Sequence, residues 1–176
     1  MHHPAEITLR PYCDEDFAAV CAVHDQARSD ELRGSCDPRA FVPLAQDVAD
    51  TDDFVRSQKH VACVGKRVIG FVGVDGVYIS WLYIDPAFYG RGMGQRLLQL
   101  GIELAGPGAW TICLSGNARA IALYQRAGFA ITRTFAGENA GYPCTCVRLD
   151  LQPALPDAGD ADRCAAATPH LPQAAQ

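Results

Sequence analysis

Tyr83-Ile84-Asp85-Pro86-Ala87-Phe88-Tyr89-Gly90-Arg91-Gly92-Met93-Gly94-Gln95 is the stretch that decides the reading of this chain. Its first residues close a run rich in β-branched and aromatic side chains, and Asp85-Pro86 ends that run as a strand. Its last residues open a helical run in which Met93, Leu97, Leu100 and Leu104 recur at helical spacing. Strand, glycine loop and helix in that order make an anion-binding arrangement. A helix N-terminus carries free backbone N–H groups and a partial positive charge, and glycines let the backbone come close to a diphosphate. Arg91 adds a formal charge. The bland alternative is a strand-to-helix turn that happens to use glycine.

Upstream, residues 60–64, 68–74 and 77–84 read as three strands. Gly65-Lys66 and Asp75-Gly76 stand at the joins, and Asp-Gly between apolar runs is a strong hairpin signal. The three strands are therefore consecutive and antiparallel. A Rossmann loop needs Gly-x-Gly-x-x-Gly near the first strand of a βαβ repeat, and the glycines here are spaced Gly-x-Gly-x-Gly after antiparallel strands. A Walker loop needs Gly-Lys-Ser/Thr, which is absent. A diphosphate held by neither fold leaves CoA as the leading candidate.

Downstream, Gly106-Pro107-Gly108 stops the helix and residues 110–114 form another strand. Asn117 opens a second helix, with Ile121, Tyr124 and Ala127 repeating and Gly128 closing it. Residues 130–135 and 145–151 are two last strands, joined by a loop of Gly137, Glu138, Asn139, Gly141 and Pro143. Toward the N-terminus, residues 7–10 are a short strand ended by Pro11. Asp14-Glu15-Asp16 then opens a helix whose Phe17, Val20, His24 and Ala27 face the core. His24 on that stripe is read as a packing residue. Residues 28–58 are mixed and polar, broken by Gly34, Pro38 and Pro43, with a short helix at 41–49.

The chain has 176 residues, of which 49% are hydrophobic, enough for one domain with a full core. The domain is placed at residues 1–151. Residues 152–176 hold eight Ala and four Pro and no aromatic residue, a composition expected to stay disordered. The net charge of −5 argues against nucleic acid as a partner and is compatible with a cationic one. No apolar run reaches a membrane-spanning length and the N-terminus lacks a secretory pattern, so the expected location is the cytoplasm. His2 and His3 are too few to read as a metal site. Of the eight cysteines, Cys21, Cys63 and Cys113 fall on apolar faces and read as small core residues in a reducing compartment. Cys144-Thr145-Cys146 reads as strand alternation, with no second pair to complete a zinc knuckle, and no metal site is expected.

Together these motifs resemble the GNAT superfamily of acetyltransferases: Ile-Asp-Pro at 84–86, Tyr-Gly-Arg-Gly-Met-Gly at 89–94, Asn117, and Leu-Tyr-x-x-x-Gly-Phe at 123–129. The N-terminal Ile-Thr-Leu-Arg-Pro before an acidic helix start is also similar to that family. The resemblance spans about residues 6–151 and implies an α+β GNAT fold. Such a fold has a mixed, mostly antiparallel central sheet of about six to seven strands flanked by helices, splayed between the fourth and fifth strands. It implies acetyl-CoA as co-substrate, with the pantetheine arm in the splay on the backbone of Leu82 and Ile84. The phosphates would lie on Tyr89, Gly90, Arg91, Gly92, Met93, Gly94 and Gln95. Asn117 would hydrogen-bond the arm, and Tyr124 would protonate the leaving thiolate, a task that suits a phenol with a pKa of about 10. The family's loop opens with Arg or Gln, a place that Tyr89 takes here.

The acceptor implied is a primary amine, on a small molecule or a protein. Attack on a thioester needs that amine neutral, so a proton must be removed. Several family members place a carboxylate or histidine where Tyr78 and Ser80 stand here, and neither of these is an ordinary base. By strand alternation Trp81 and Tyr83 point to the opposite face. Glu138, His60, Asp75 and Glu31 are the remaining candidates, Glu138 foremost because its loop borders the acceptor site. A water chain is the alternative, and the base stays unassigned. Tyr78, Ser80, Trp81 and Tyr142 suggest a partly apolar acceptor. The competing readings are a non-catalytic CoA-binding or regulatory module of the same fold and an interaction domain using the tail. A homodimer is the one protein assembly considered for the enzyme.

Overall fold

The structure, a computed structural model, describes residues 6–153. His2, His3 and Cys164 lie outside the described residues, as does the expected disordered tail apart from Gln152 and Pro153. The hairpin signals form as read. Gly65 at φ 58° turns β2 (Gln58–Val64) into β3 (Arg67–Asp75), and Gly76 at φ 59° turns β3 into β4 (Tyr78–Ile84). Both turns need a left-handed φ, which glycine adopts without a Cβ clash. The edge strand β1 (Ile7–Pro11) pairs antiparallel with β2. Pro11 is the last residue of β1 rather than the first beyond it, because an edge strand has one unpaired side where a missing N–H costs nothing. The Arg10 guanidinium grips the Asp16 carboxylate at 2.6 and 2.7 Å and ties β1 to the start of α1 (Phe17–Leu32).

The seven strands run in the order β1-β2-β3-β4-β5-β7-β6. All neighbours are antiparallel except β4 and β5 (Trp110–Leu114), which are parallel. The ladder between those two has a single register pair, Tyr78 opposite Trp110. Two further bonds hold the pair at that end. Trp110 N–H donates to the Val77 carbonyl at 3.0 Å and the Thr111 hydroxyl donates to the Ile79 carbonyl at 2.9 Å. Past Ile79 the strands part, as the splay between fourth and fifth strands requires.

A bulge in β4 causes a correction. Val74 pairs with Ile79 but Gly73 pairs with Trp81, so Ser80 is the extra residue. An extra residue reverses the facing of what lies on either side of it. Ile79 packs in one core with α3 (Met93–Ala105), and Leu82 and Ile84 pack against that same core. Trp81 and Tyr83 belong to the opposite core, with α1. Tyr78 therefore does not share a face with Leu82 and Ile84, as simple alternation had implied.

Three other expectations shift. The helix expected at 41–49 is instead α2 (Val48–Arg56), preceded by two short 3-10 turns. Pro43 interrupts the earlier stretch, and Asp47 caps the later one by accepting from Asp50 N–H at 3.1 Å. On α3 the buried residues are Met93, Leu97, Leu98, Gly101 and Ala105, not Leu100 and Leu104. A Cβ on Gly101 would stand 2.9 Å from Val72 Cγ2 and one on Gly70 3.0 Å from Leu97 Cδ1, so the helix seats closely on β3 through two glycines. Finally, the loop expected after residue 135 is strand. β6 (Phe129–Asn139) and β7 (Tyr142–Leu151) form one long hairpin turned by Ala140 at φ 46° and Gly141 at φ 80°. α4 (Ala118–Arg126) packs on this half through Tyr124.

Candidate active site

The glycine loop has the geometry of an open cradle. Asp85 accepts from Ala87 N–H at 2.9 Å and from Arg67 at 2.6 Å, which fixes the exit from β4. Gly90 and Gly92 then stand at φ 72° and 76°. A Cβ built on either meets nothing within 4 Å, so the surface above them is clear. Gly92 is also the residue that caps α3, and it has no side chain with which to do so. The first-turn N–H groups of Met93, Gly94 and Gln95 are thus left to an external acceptor. Gly94 has a different reason. Its Cβ would stand 3.1 Å from Leu123 Cδ2, so it lets α3 and α4 approach.

The parting of β4 and β5 opens a cavity of about 780 Å³ that reaches both faces of the sheet. On the α3/α4 side it is lined by Leu82, Ile84, Tyr89, Gly90, Gly92, Met93, Gly94, Gln95, Asn117 and Tyr124. Cys113, Thr111 and Arg119 line it too, and the sequence had not singled them out for the site. Asn117 Oδ1 is engaged as the N-cap of α4, accepting from Ala120 N–H at 3.2 Å, which leaves its amide N–H groups to donate. Tyr124 is 6% exposed, with its ring edge-on to Phe129 at 5.5 Å and the Thr111 hydroxyl beside its phenol. Burial raises that phenol above its ordinary pKa, so it stays a proton donor. The neighbouring Cys113 thiol is pushed up to about 12 by burial, which makes it inert.

On the α1 side the same cavity is lined by Ala27, Asp30, Glu31, Tyr83, Ser80 and Ile112. Glu31 Oε2 takes two bonds, from the Tyr83 hydroxyl at 2.7 Å and from Arg28 at 2.7 Å. Arg28 also donates to Asn139 Oδ1 at 2.7 Å, which joins α1 to the tip of the β6–β7 hairpin. Glu31 Oε1 has no hydrogen-bond partner among the described residues. The Tyr83 phenol is pushed well up, by burial first and then by Glu31. Half-buried Asp50, raised by desolvation, also acts on the Tyr78 and Tyr83 phenols.

Not every expected residue reaches the cavity. Tyr78 stacks on Trp110 at 4.2 Å outside its wall, with its phenol pushed up to about 12 by burial. Arg91 is exposed and lies over the Phe88 ring at 5.1 Å, also outside the wall. Glu138 is an exposed position on β6 opposite Pro143, not a loop residue at the site. His60 is on β2 beside Pro11 and Val72, and Asp75 ends β3 exposed, 3.9 Å from Arg56. Of the four base candidates, only Glu31 is in the cavity wall. Among the described residues no His, Cys, Asp and Glu group could hold a metal ion, and no helix is long and apolar enough to cross a membrane.

Residues 55–131 match the family model of the Acetyltransferase (GNAT) domain. That segment is similar to the GNAT acetyltransferases in sequence. It runs from the end of α2 through the split strands, the glycine loop and α4 into β6. The peptidyl-lysine N-acetyltransferase YjaB of Salmonella typhimurium is 31% identical over 81 residues, which is 46% of this chain and 55% of that protein. The alignment thus spans about half the length of that relative. A GCN5-related N-acetyltransferase structure from Rhodopseudomonas palustris superposes with a TM-score of 0.72 at 19% identity, covering 85% of this chain and 98% of that one. The yncA structure from Salmonella typhimurium, solved with its cofactor acetyl-CoA, gives 0.62 at 23% identity, covering 87% and 99%. Both likenesses are of fold.

Proposed function

We propose that this GNAT-fold domain transfers an acetyl group from acetyl-CoA to a primary amine by direct attack on the thioester. The observation that carries the reading is a single cavity through the split in the sheet with unlike ends. One end offers uncapped helix N–H groups and arginine, and the other offers a carboxylate. A polyanionic donor suits the first and an ammonium acceptor the second. YjaB's designation as a peptidyl-lysine acetyltransferase supports an amine acceptor, and the acetyl-CoA in the yncA structure supports the donor.

In this reading the N–H groups of residues 93–95 bind the diphosphate and the Asn117 amide donates to the pantetheine arm. The splayed backbone of Leu82 and Ile84 is free to pair with that arm. Glu31 Oε1 docks the acceptor ammonium, which must lose a proton through water before it attacks. The amine nitrogen bonds to the thioester carbon, the C–S bond breaks, and the sulfur takes the Tyr124 proton, while the proton that the new amide nitrogen sheds passes through water and restores the Tyr124 phenol. Residues 1–151 are taken as the catalytic unit.

The deciding experiment is release of free thiol from acetyl-CoA across a panel of primary amines and lysine peptides. Turnover with at least one amine is expected. Acetyl-CoA binding without turnover on any would leave only a CoA-binding module. A second test concerns the cradle. Gly92→Val puts a β-branched residue at φ 76° where the donor must approach. Such a conformation costs about 1–3 kcal/mol, so calorimetry should show acetyl-CoA affinity down about tenfold or more. Unchanged affinity would remove the donor from this loop.

A further inference from the structure

Tyr89 opens the glycine loop and carries no charge. The guanidinium carbon of Arg119, in the first turn of α4, lies 3.4 Å from the centroid of the Tyr89 ring. At that distance the guanidinium lies against the ring, an arrangement that leaves it N–H groups to donate. Both side chains line the cavity at the mouth of the loop. Arg119 has no carboxylate within salt-bridge distance among the described residues, whereas Arg28 and Arg33 in the α1 segment are both paired. An arginine held on a ring, with no carboxylate partner and in the same cavity wall as the open N–H groups, has the chemistry that phosphate recognition uses. The other arginines serve less well. Arg91 lies outside the cavity wall, and Arg126 lines the cavity but comes from the last turn of α4 and rests on no aromatic ring among the described residues.

We infer that Arg119, held in place by the Tyr89 ring, binds the diphosphate of CoA. The inference rests on the donor reading above. Tyr89 is then a positioning residue: it supplies the platform for the cation and not the cation itself. This gives a task to a loop residue whose identity the glycine pattern does not explain.

Calorimetric titration of the full chain with CoA, 3′-dephospho-CoA and pantetheine tests it. Arg119→Ala is expected to weaken CoA and 3′-dephospho-CoA alike, by about 10- to 100-fold, and to leave pantetheine unchanged. The salt dependence of CoA binding should flatten. Tyr89→Phe keeps the ring and should bind like wild type, whereas Tyr89→Leu should lose a large part of what Arg119→Ala loses. Arg119 is exposed, so its variant should melt as wild type does. Three results overturn the inference: CoA affinity unchanged in Arg119→Ala, a loss seen with CoA but not with 3′-dephospho-CoA, or Tyr89→Phe as weak as Tyr89→Leu. A wild-type chain that binds none of the phosphorylated probes would instead overturn the donor reading itself.

Discussion

Tyr124→Phe is expected to lower turnover about 10²–10⁴-fold, the usual cost of losing a general acid, while acetyl-CoA affinity and melting temperature stay close to wild type. The substitution removes one oxygen. The ring keeps its edge-on packing against Phe129 and its place in the core with Leu97 and Leu98. The neighbouring Thr111 hydroxyl already donates to the Ile79 carbonyl, so no buried donor is orphaned and the stability cost is about 1 kcal/mol or less. Burial raises the phenol pKa, so the acid form is present at neutral pH and is lost only as pH rises through that raised value. The wild-type rate profile should therefore show no loss of rate from Tyr124 between pH 6 and 9, about the range below a free phenol's pKa. The measurement is single-turnover thiol release at saturating acetyl-CoA, where chemistry limits the rate. A rate within a few-fold of wild type would mean that the thiolate takes its proton from solvent.

The parts of this site that are local in sequence were legible there. Asp75-Gly76, the glycine loop and the Asn117 cap each take their conformation from residues within one turn of chain, and all three form as read. What depends on partners distant in sequence was not. The bulge at Ser80 is a mismatch between β3 and β4, invisible in the alternation of β4 alone, and it moves Tyr78 off the expected face. The β6–β7 turn places Ala140 at positive φ, which alanine rarely adopts, so nothing in its chemistry announced a tight turn. Glycine, asparagine and proline around it read as loop instead, which misplaced Glu138. The Glu31–Tyr83 bond joins residues 52 apart. Only the packing of α1 across β4 makes Glu31 part of the same cavity as Tyr124.

Glu31→Gln is expected to raise KM for a charged amine about 10- to 100-fold, the worth of one charge-assisted contact, with a smaller change in kcat and none in acetyl-CoA affinity. Glu31 Oε2 is committed to Tyr83 and Arg28, so on the proposed reading the acceptor ammonium would meet Oε1. Glutamine keeps the shape but cannot supply the charge. The same change also leaves Arg28 with Asn139 as its side-chain partner, in a pair whose side chains are only 12% and 17% exposed, so a lower melting temperature is expected. That structural cost has to be separated from the loss of recognition. Glu31→Asp keeps the negative charge for Arg28 but withdraws Oε1 by one methylene, so it should recover stability more fully than KM. Hydroxylamine provides the second separation, being a nucleophile that is uncharged at neutral pH. Its KM should barely move in Glu31→Gln if the lost contact is to an ammonium. Equal losses for hydroxylamine and the charged amine would show that Glu31 only braces α1 against β4 and the β6–β7 hairpin, and the acceptor would have to be held elsewhere in the cavity.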